Sequence, residues 1–156
     1  MKILVVEDHL DVLDCLRSYF VQHEHDVLSA TTAQEAIQLL QRETPDLALI
    51  DLKLPRGNGR MVIQDIVRRC RNPMPRMVVI TADDNLELRK ELIGYGVSDY
   101  LFKPITIRDL DDLIGRIQAQ MATSFSEDRV AGEEGLSSLS PDSDEKSPTS
   151  DPSGTP

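Results

Sequence analysis

Four nearly unbroken apolar runs punctuate the chain: Ile3-Leu4-Val5-Val6, Leu47-Ala48-Leu49-Ile50, Met77-Val78-Val79-Ile80 and Tyr100-Leu101-Phe102. Runs this short and this rich in β-branched residues predict strands buried on both faces, as in a parallel sheet covered by helices. A fifth, more polar strand is expected at 26–30. Between the runs, apolar positions recur at helical spacing. Segment 10–22 places Leu13, Leu16 and Phe20 on one face, with Val12 and Tyr19 beside them.

Turn and cap residues divide the remaining helices. Thr32, with Glu35 three residues on, predicts a capping box for a helix carrying Ala33, Ala36, Ile37 and Leu40. Asn58 is the expected N-cap of a helix through Val62, Ile66 and Val67, and Pro73 and Pro75 separate it from the next strand. A fourth helix at 85–95 has only Leu88, Leu92 and Ile93 as an apolar face, so it is expected to be among the more mobile elements. A fifth, at 107–121, turns Leu110, Leu113, Ile114 and Ile117 inward. Strict alternation of strand and helix implies right-handed crossovers and a three-layer α/β sandwich with a five-stranded parallel sheet.

The pattern stops near Ala122, which divides the chain into a domain at 1–121 and a tail at 122–156. The tail holds nine serines and four prolines with no helical periodicity, and is expected to be disordered. It carries eight acidic and two basic residues of the chain's 27 and 17, leaving the globular part only mildly acidic. That balance argues against direct nucleic-acid binding, which rests on neutralising phosphates with Lys and Arg. The basic cluster Arg68, Arg69 and Arg71 reads as a helix end favoured by the helix dipole. Cys15 and Cys70 fall on expected helices without metal-binding spacing and read as reduced thiols. With no signal peptide and no apolar stretch near the roughly 20 residues that cross a bilayer, the expected location is the cytoplasm.

Polar landmarks sit at the carboxyl ends of the four apolar runs: Glu7-Asp8, Asp51, Thr81 and Lys103-Pro104. In an open parallel sheet, ligands bind beyond those ends, so the landmarks should converge. Clustered carboxylates repel unless a cation intervenes. Mg²⁺ fits, because it binds through one or two carboxylates together with phosphate oxygens. Asp8 and Asp51 are assigned as direct ligands, Glu7 as holder of a metal-bound water, and the Lys53 backbone carbonyl as a further ligand. Asp51 is the expected nucleophile, since a carboxylate can attack phosphorus to give an acyl phosphate. Lys103 pairs with Asp51 first and with a phosphoryl oxygen afterwards. Thr81 donates its hydroxyl to the phosphoryl group, and Pro104 restricts Lys103, with a cis bond expected between them.

These stretches, with Asp51-Leu52-Lys53-Leu54-Pro55 through Asn58-Gly59 and Gly96 through Pro104, resemble the CheY-like receiver domain of two-component response regulators. The resemblance covers 1–121. It implies a flavodoxin-like strand order of 2-1-3-4-5 and a phosphoacceptor signalling domain, not an enzyme, which promotes its own phosphorylation and dephosphorylation. The donor it implies is a sensor histidine kinase or histidine phosphotransfer protein. Thr81 and Tyr100 become a switch pair that changes binding to a downstream protein, and a phosphorylation-dependent dimer is among the arrangements considered. No membrane partner and no DNA-binding output domain are expected, so the reading is of a stand-alone switch.

Some positions depart from the commonest receiver sequence: Lys53, Asp83, Tyr95, and Leu113 where winged-helix regulators often carry Arg. The competing reading is a metal-dependent phosphohydrolase with Asp51 as nucleophile. It lacks a second Asp two residues after Asp51 to act as general acid, because Lys53 stands there.

Overall fold

The computed structural model describes residues 1–70 and 72–133, with side chains to residue 124. Five strands, β1 (Lys2–Val6), β2 (Asp26–Ala30), β3 (Leu47–Asp51), β4 (Arg76–Thr81) and β5 (Val97–Phe102), alternate with α1 (Leu10–Gln22), α2 (Ala33–Leu40), α3 (Gly59–Arg69), α4 (Leu86–Gly94) and α5 (Ile107–Glu133). All strand pairs are parallel, in the order β2-β1-β3-β4-β5. The expected strand order is the one observed.

The sheet is central because its inner strands β1, β3 and β4 have no polar face. Every residue of β3 is buried, and so are the four apolar residues of β1. On one face Leu4, Val6, Ala48, Ile50, Met77 and Val79 pack with Ala33, Ala36 and Leu40 of α2, Val62, Ile63 and Ile66 of α3, and Leu92 of α4. The alternate strand positions Ile3, Val5, Leu47 and Leu49 are also fully buried. α1 turns Leu13, Leu16, Tyr19 and Phe20 inward. The Tyr19 hydroxyl donates to Asp111 Oδ1 at 2.6 Å, tying α1 to the start of α5.

The expected caps Thr32 and Asn58 form, and Asn85, expected within the fourth helix, caps it instead. Thr32 Oγ1 accepts from Glu35 N, Asn58 Oδ1 from Met61 N, and Asn85 Oδ1 from Glu87 N and Leu88 N. The Glu35 carboxylate, however, reaches back to the Thr31 amide and hydroxyl, not to Thr32, so the capping box is displaced by one residue. α3 begins hard against the end of β3. A Cβ on Gly59 would lie 2.3 Å from the Asp51 carbonyl oxygen, so only glycine allows this approach.

Residues from Asp112 onward form a unit of their own. Its described part is the rest of α5, in which Leu113, Ile114 and Ile117 are buried. The helix continues to Glu133 instead of ending near Met121 as the apolar pattern indicates. The expected disordered tail at 122–156 thus begins as helix, and 134–156 lies outside the described residues.

Three smaller expectations change. Cys70 is the C-cap of α3 in extended backbone, not part of the helix; it and Cys15 are free thiols. Ile93 is exposed, leaving Leu92 as the one buried residue of α4. Arg68 and Arg69 both pair with the buried Asp65 one turn back on α3, so this basic cluster is used within its own helix. Arg71 lies outside the described residues.

Candidate functional site

The parallel register aligns the strand ends. Val6 is opposite Ile50, Asp51 opposite Ile80, and Thr81 opposite Phe102. The residues just past these positions therefore share one edge. Backbone hydrogen bonds carry the alignment into the loops, from Glu7 N to Ala30 O, Leu52 N to Ile80 O and Lys103 N to Thr81 O.

Asp51 ends β3 and is only 2% exposed. Its Oδ1 accepts from the Lys53 amide at 2.9 Å and its Oδ2 from Lys103 Nζ at 2.8 Å. Lys103 Nζ also lies 2.9 Å from Oε2 of Glu7, a residue with no exposed surface. One ammonium therefore bridges two buried carboxylates. The Lys103–Pro104 peptide is cis, as expected.

The charges shift as this geometry requires. Burial pushes the Asp51 carboxyl above its ordinary value, and the neighbouring Glu7 adds to the shift against the pull of Lys103. Burial works in the same direction on Glu7. There, hydrogen bonds from Lys103 and from the His9 amide and ring prevail and hold the carboxyl below its usual range. Lys103 resists the lowering effect of burial because Asp51 and Glu7 both favour its charged form, and its pKa is raised.

Asp8 Oδ1 is buried without a hydrogen-bond partner. Ligand atoms of Glu7, Asp8, His9 and Asp51 lie within 4.8 Å of one another. That convergence fits a small divalent cation. Within it Asp8 Oδ1 has no partner, whereas Glu7 and Asp51 are both engaged by Lys103. His9 was not singled out from the sequence. Its signal was its position, directly after Glu7-Asp8 and at the start of a helix.

Thr81 is buried at the end of β4, and its hydroxyl engages its own loop, accepting from the Asp83 amide at 3.0 Å. Tyr100 is half-buried on β5, with its hydroxyl donating to the Arg89 carbonyl on α4 at 3.0 Å. The Arg89 guanidinium covers the rings of Tyr100 and Phe102, at 5.0 and 5.3 Å, and pairs with Asp84. The Lys53 side chain is exposed and lines a small pocket with Asn58, Arg60, Thr81 and Asp83. A larger groove of about 1000 Å³ runs between α1 and the segment after Lys103. Its lining includes His9 and Lys103 together with Val12, Leu16, Ile105 and Leu110.

Residues 3–115 match the family model described as the response regulator receiver domain. Among solved structures, a CheY-like receiver domain protein from Methanospirillum hungatei is 27% identical with a TM-score of 0.68, covering 81% of this chain and 97% of that one. The non-phosphorylated HemR receiver domain from Leptospira biflexa is also 27% identical, with a TM-score of 0.68 and coverages of 74% and 92%. The receiver domain of a sensor histidine kinase from Pseudomonas aeruginosa, with a magnesium ion coordinated in its active-site cleft, shares the fold at 23% identity and a TM-score of 0.65, covering 74% of this chain and 94% of that one. No helix among the described residues is long and apolar enough to cross a membrane. A sheet that gathers acids and a lysine at one edge, and a family match running from β1 into α5, lead to one assignment: the chain belongs to the response regulator receiver domain family.

Proposed function

We propose that Asp51 accepts a phosphoryl group from a phosphohistidine on a sensor kinase or phosphotransfer protein, and that Mg²⁺ held by Asp8, Asp51, the Lys53 carbonyl and, through water, Glu7 assists the transfer. The observation that carries this reading is the Asp51 carboxylate itself: buried, fixed through both oxygens, and beside an acidic cluster at the sheet edge. When bound, the cation neutralises phosphoryl oxygens so that an anionic nucleophile can approach an anionic donor.

The chain's own residues supply the rest. An Asp51 oxygen attacks phosphorus, the P–N bond breaks, and its electron pair returns to the donor imidazole. Lys103 transfers its contact from Asp51 Oδ2 to a phosphoryl oxygen. The Lys53 amide keeps the Asp51 carboxylate oriented. The groove along α1 opens beside this site and offers apolar walls to a helix bearing the donor histidine.

The switch follows from the same geometry. To reach the phosphoryl group, the Thr81 hydroxyl gives up the Asp83 amide, which pulls on the loop leading to α4. Tyr100, bonded to the Arg89 carbonyl, then exchanges that partner for the space next to β4. A few kcal/mol of differential interaction are enough to move such an equilibrium. The surface presented by α4 and β5 changes, and with it the affinity for a downstream protein.

The test is incubation with a small phosphodonor and Mg²⁺, followed by mass spectrometry. Gain of one phosphoryl group that disappears in Asp51→Asn or with chelator is expected. An unmodified wild-type chain, or a modified Asp51→Asn chain, overturns the reading.

A further inference from the structure

Resting on the phosphoacceptor reading above, we propose that two polar rungs between α3 and α4, Arg60 to Glu91 and Gln64 to Tyr95, act as a brake on the switch. They hold α4 in its unphosphorylated position and part when it moves. Arg60 Nη2 donates to Glu91 Oε2 at 2.9 Å, and Gln64 Nε2 donates to the Tyr95 hydroxyl at 3.4 Å. Both rungs join residues 31 apart in the chain, so they stand one turn apart on both helices. Tyr95, a departure from the commonest receiver sequence, is half-buried against the core and places its hydroxyl at the second rung.

The two helices differ in how firmly they are set. α3 is joined to the phosphoacceptor strand: the Gly59 amide donates to Leu52 O, and no Cβ fits between Gly59 and the Asp51 carbonyl. α4 buries only Leu92, and Glu91 and Tyr95 flank that residue near the end of the helix. The first turn is looser. Leu86 is exposed there, and Leu88 borders a pocket of about 170 Å³ shared with Asn58, Arg60, Thr81 and Asp83. The rungs therefore tie the loose helix to the fixed one beside the loop that Thr81 pulls.

Their strength suits a brake. The side chains of Arg60 and Glu91 are 40% and 43% exposed, so water screens the pair. An exposed pair of this kind shifts an equilibrium by about fivefold at most. That biases a two-state element without locking it. Coupling is reciprocal: if a phosphoryl group at Asp51 opens the rungs, opening the rungs must favour that group equally.

The experiment measures binding of fluoroberyllate, a phosphoryl mimic, to the full chain with Mg²⁺ by calorimetry. Wild type, Arg60→Gln, Glu91→Gln, the double variant, the charge swap Arg60→Glu with Glu91→Arg, and Tyr95→Phe are compared. Each single Gln variant is expected to bind about two- to fivefold more tightly than wild type. The double variant should gain no more than either single one, and the charge swap should return towards wild type. Tyr95→Phe, which removes the longer rung, should gain less than about twofold. Amide exchange of α4 across the same set should show coupling between positions 60 and 91 without fluoroberyllate and none with it.

Fluoroberyllate affinity that is unchanged or weaker in both Gln variants overturns the inference. So does coupling between 60 and 91 that persists with the mimic bound, since the rungs then travel intact with α4. In either case, labelling of wild-type Asp51 by phosphodonor would leave the phosphoacceptor reading standing. A wild-type chain that neither takes label nor binds fluoroberyllate would remove both.

Discussion

At the end of β3 the chain is fixed from every side, whereas α4, three elements further on, buries only Leu92. The first region holds two buried carboxylates, both tied to Lys103 across the sheet. The second leaves Leu86 and Ile93 mostly exposed and is anchored through Leu92, partly through Leu88, and through contacts of Arg89 and Tyr100. On the function proposed above, the difference divides the work. Phosphoryl chemistry needs donors and acceptors held in place before the reaction, while a readout needs an element that a small free-energy change can move.

The sharpest way to break this comparison is at the fixed end. Asp51→Asn should abolish phosphoryl uptake altogether while leaving the fold intact. It should also raise stability in metal-free buffer at neutral pH, for a reason that can be checked. The Asp51 carboxyl is pushed up in the folded chain, by burial first and then by Glu7, so the folded state binds a proton more readily than the unfolded one. Stability from this group is present at low pH and is lost as pH rises through the unfolded value near about 3.9 to the folded one. The advantage of the Asn variant in thermal melts should therefore be seen at neutral pH and close below about pH 4. A variant less stable than wild type at neutral pH would mean that the Lys103 pairing outweighs the burial.

Lys103→Met tests the same region from the cationic side. It leaves Glu7 and Asp51 buried without their shared ammonium. Loss of about 3 kcal/mol in urea unfolding is expected. Part of it should return with added Mg²⁺, because a bound cation stabilises the folded state by mass action. A loss that Mg²⁺ leaves untouched would place the cation away from these carboxylates.

How much of this was legible beforehand varies with what each residue does. The strands were readable because residues such as Leu49 and Val78 have no solvent side, and a parallel sheet turns that into an unbroken apolar run. Asp51 and Lys103 were readable because they interrupt such runs at the same edge. The length of α5 was not. Apolar spacing reports which face is buried, and past Met121 it fades although the helix persists. Once a helix is nucleated, further residues add at little cost, and the stretch 122–133 contains no proline. His9 was legible only as the neighbour of Glu7-Asp8; that its ring turns back toward both carboxylates depends on the turn after β1, and residue order alone carries no such direction. The roles of Arg89 and Asp84 likewise depend on how α4 settles on β5.

At the thinly packed end, Leu92→Ala removes the one buried side chain of α4. A cost of about 2–3 kcal/mol is expected if the change is felt by the whole domain. The contrast drawn above makes a more specific demand. Amide exchange should accelerate across α4 by a larger factor than across β1 and β3, because local opening draws on the least-packed segments. Equal acceleration everywhere would show that α4 belongs to the same cooperative unit as the sheet.

Arg89→Ala is the gentlest change and probes how the two regions communicate. The guanidinium lies over Tyr100 and Phe102 and pairs with Asp84, in the loop that follows Thr81. Phe102 is 41% exposed, so these contacts are wet and their loss should cost only about 0.5–1 kcal/mol. The hydrogen bond from the Tyr100 hydroxyl ends on the Arg89 backbone carbonyl, which the substitution leaves in place. Tyr100 therefore keeps its anchor but loses its cover. Its ring resonances should broaden or shift in NMR spectra of the unphosphorylated protein, and the response to phosphodonor should require less of the switching free energy. If the ring signals stay as in wild type, Arg89 merely decorates the surface, and the carbonyl bond alone holds Tyr100. If they move while phosphoryl uptake at Asp51 is unchanged, chemistry and readout are separable within this fold, and Arg89 helps set the balance between them.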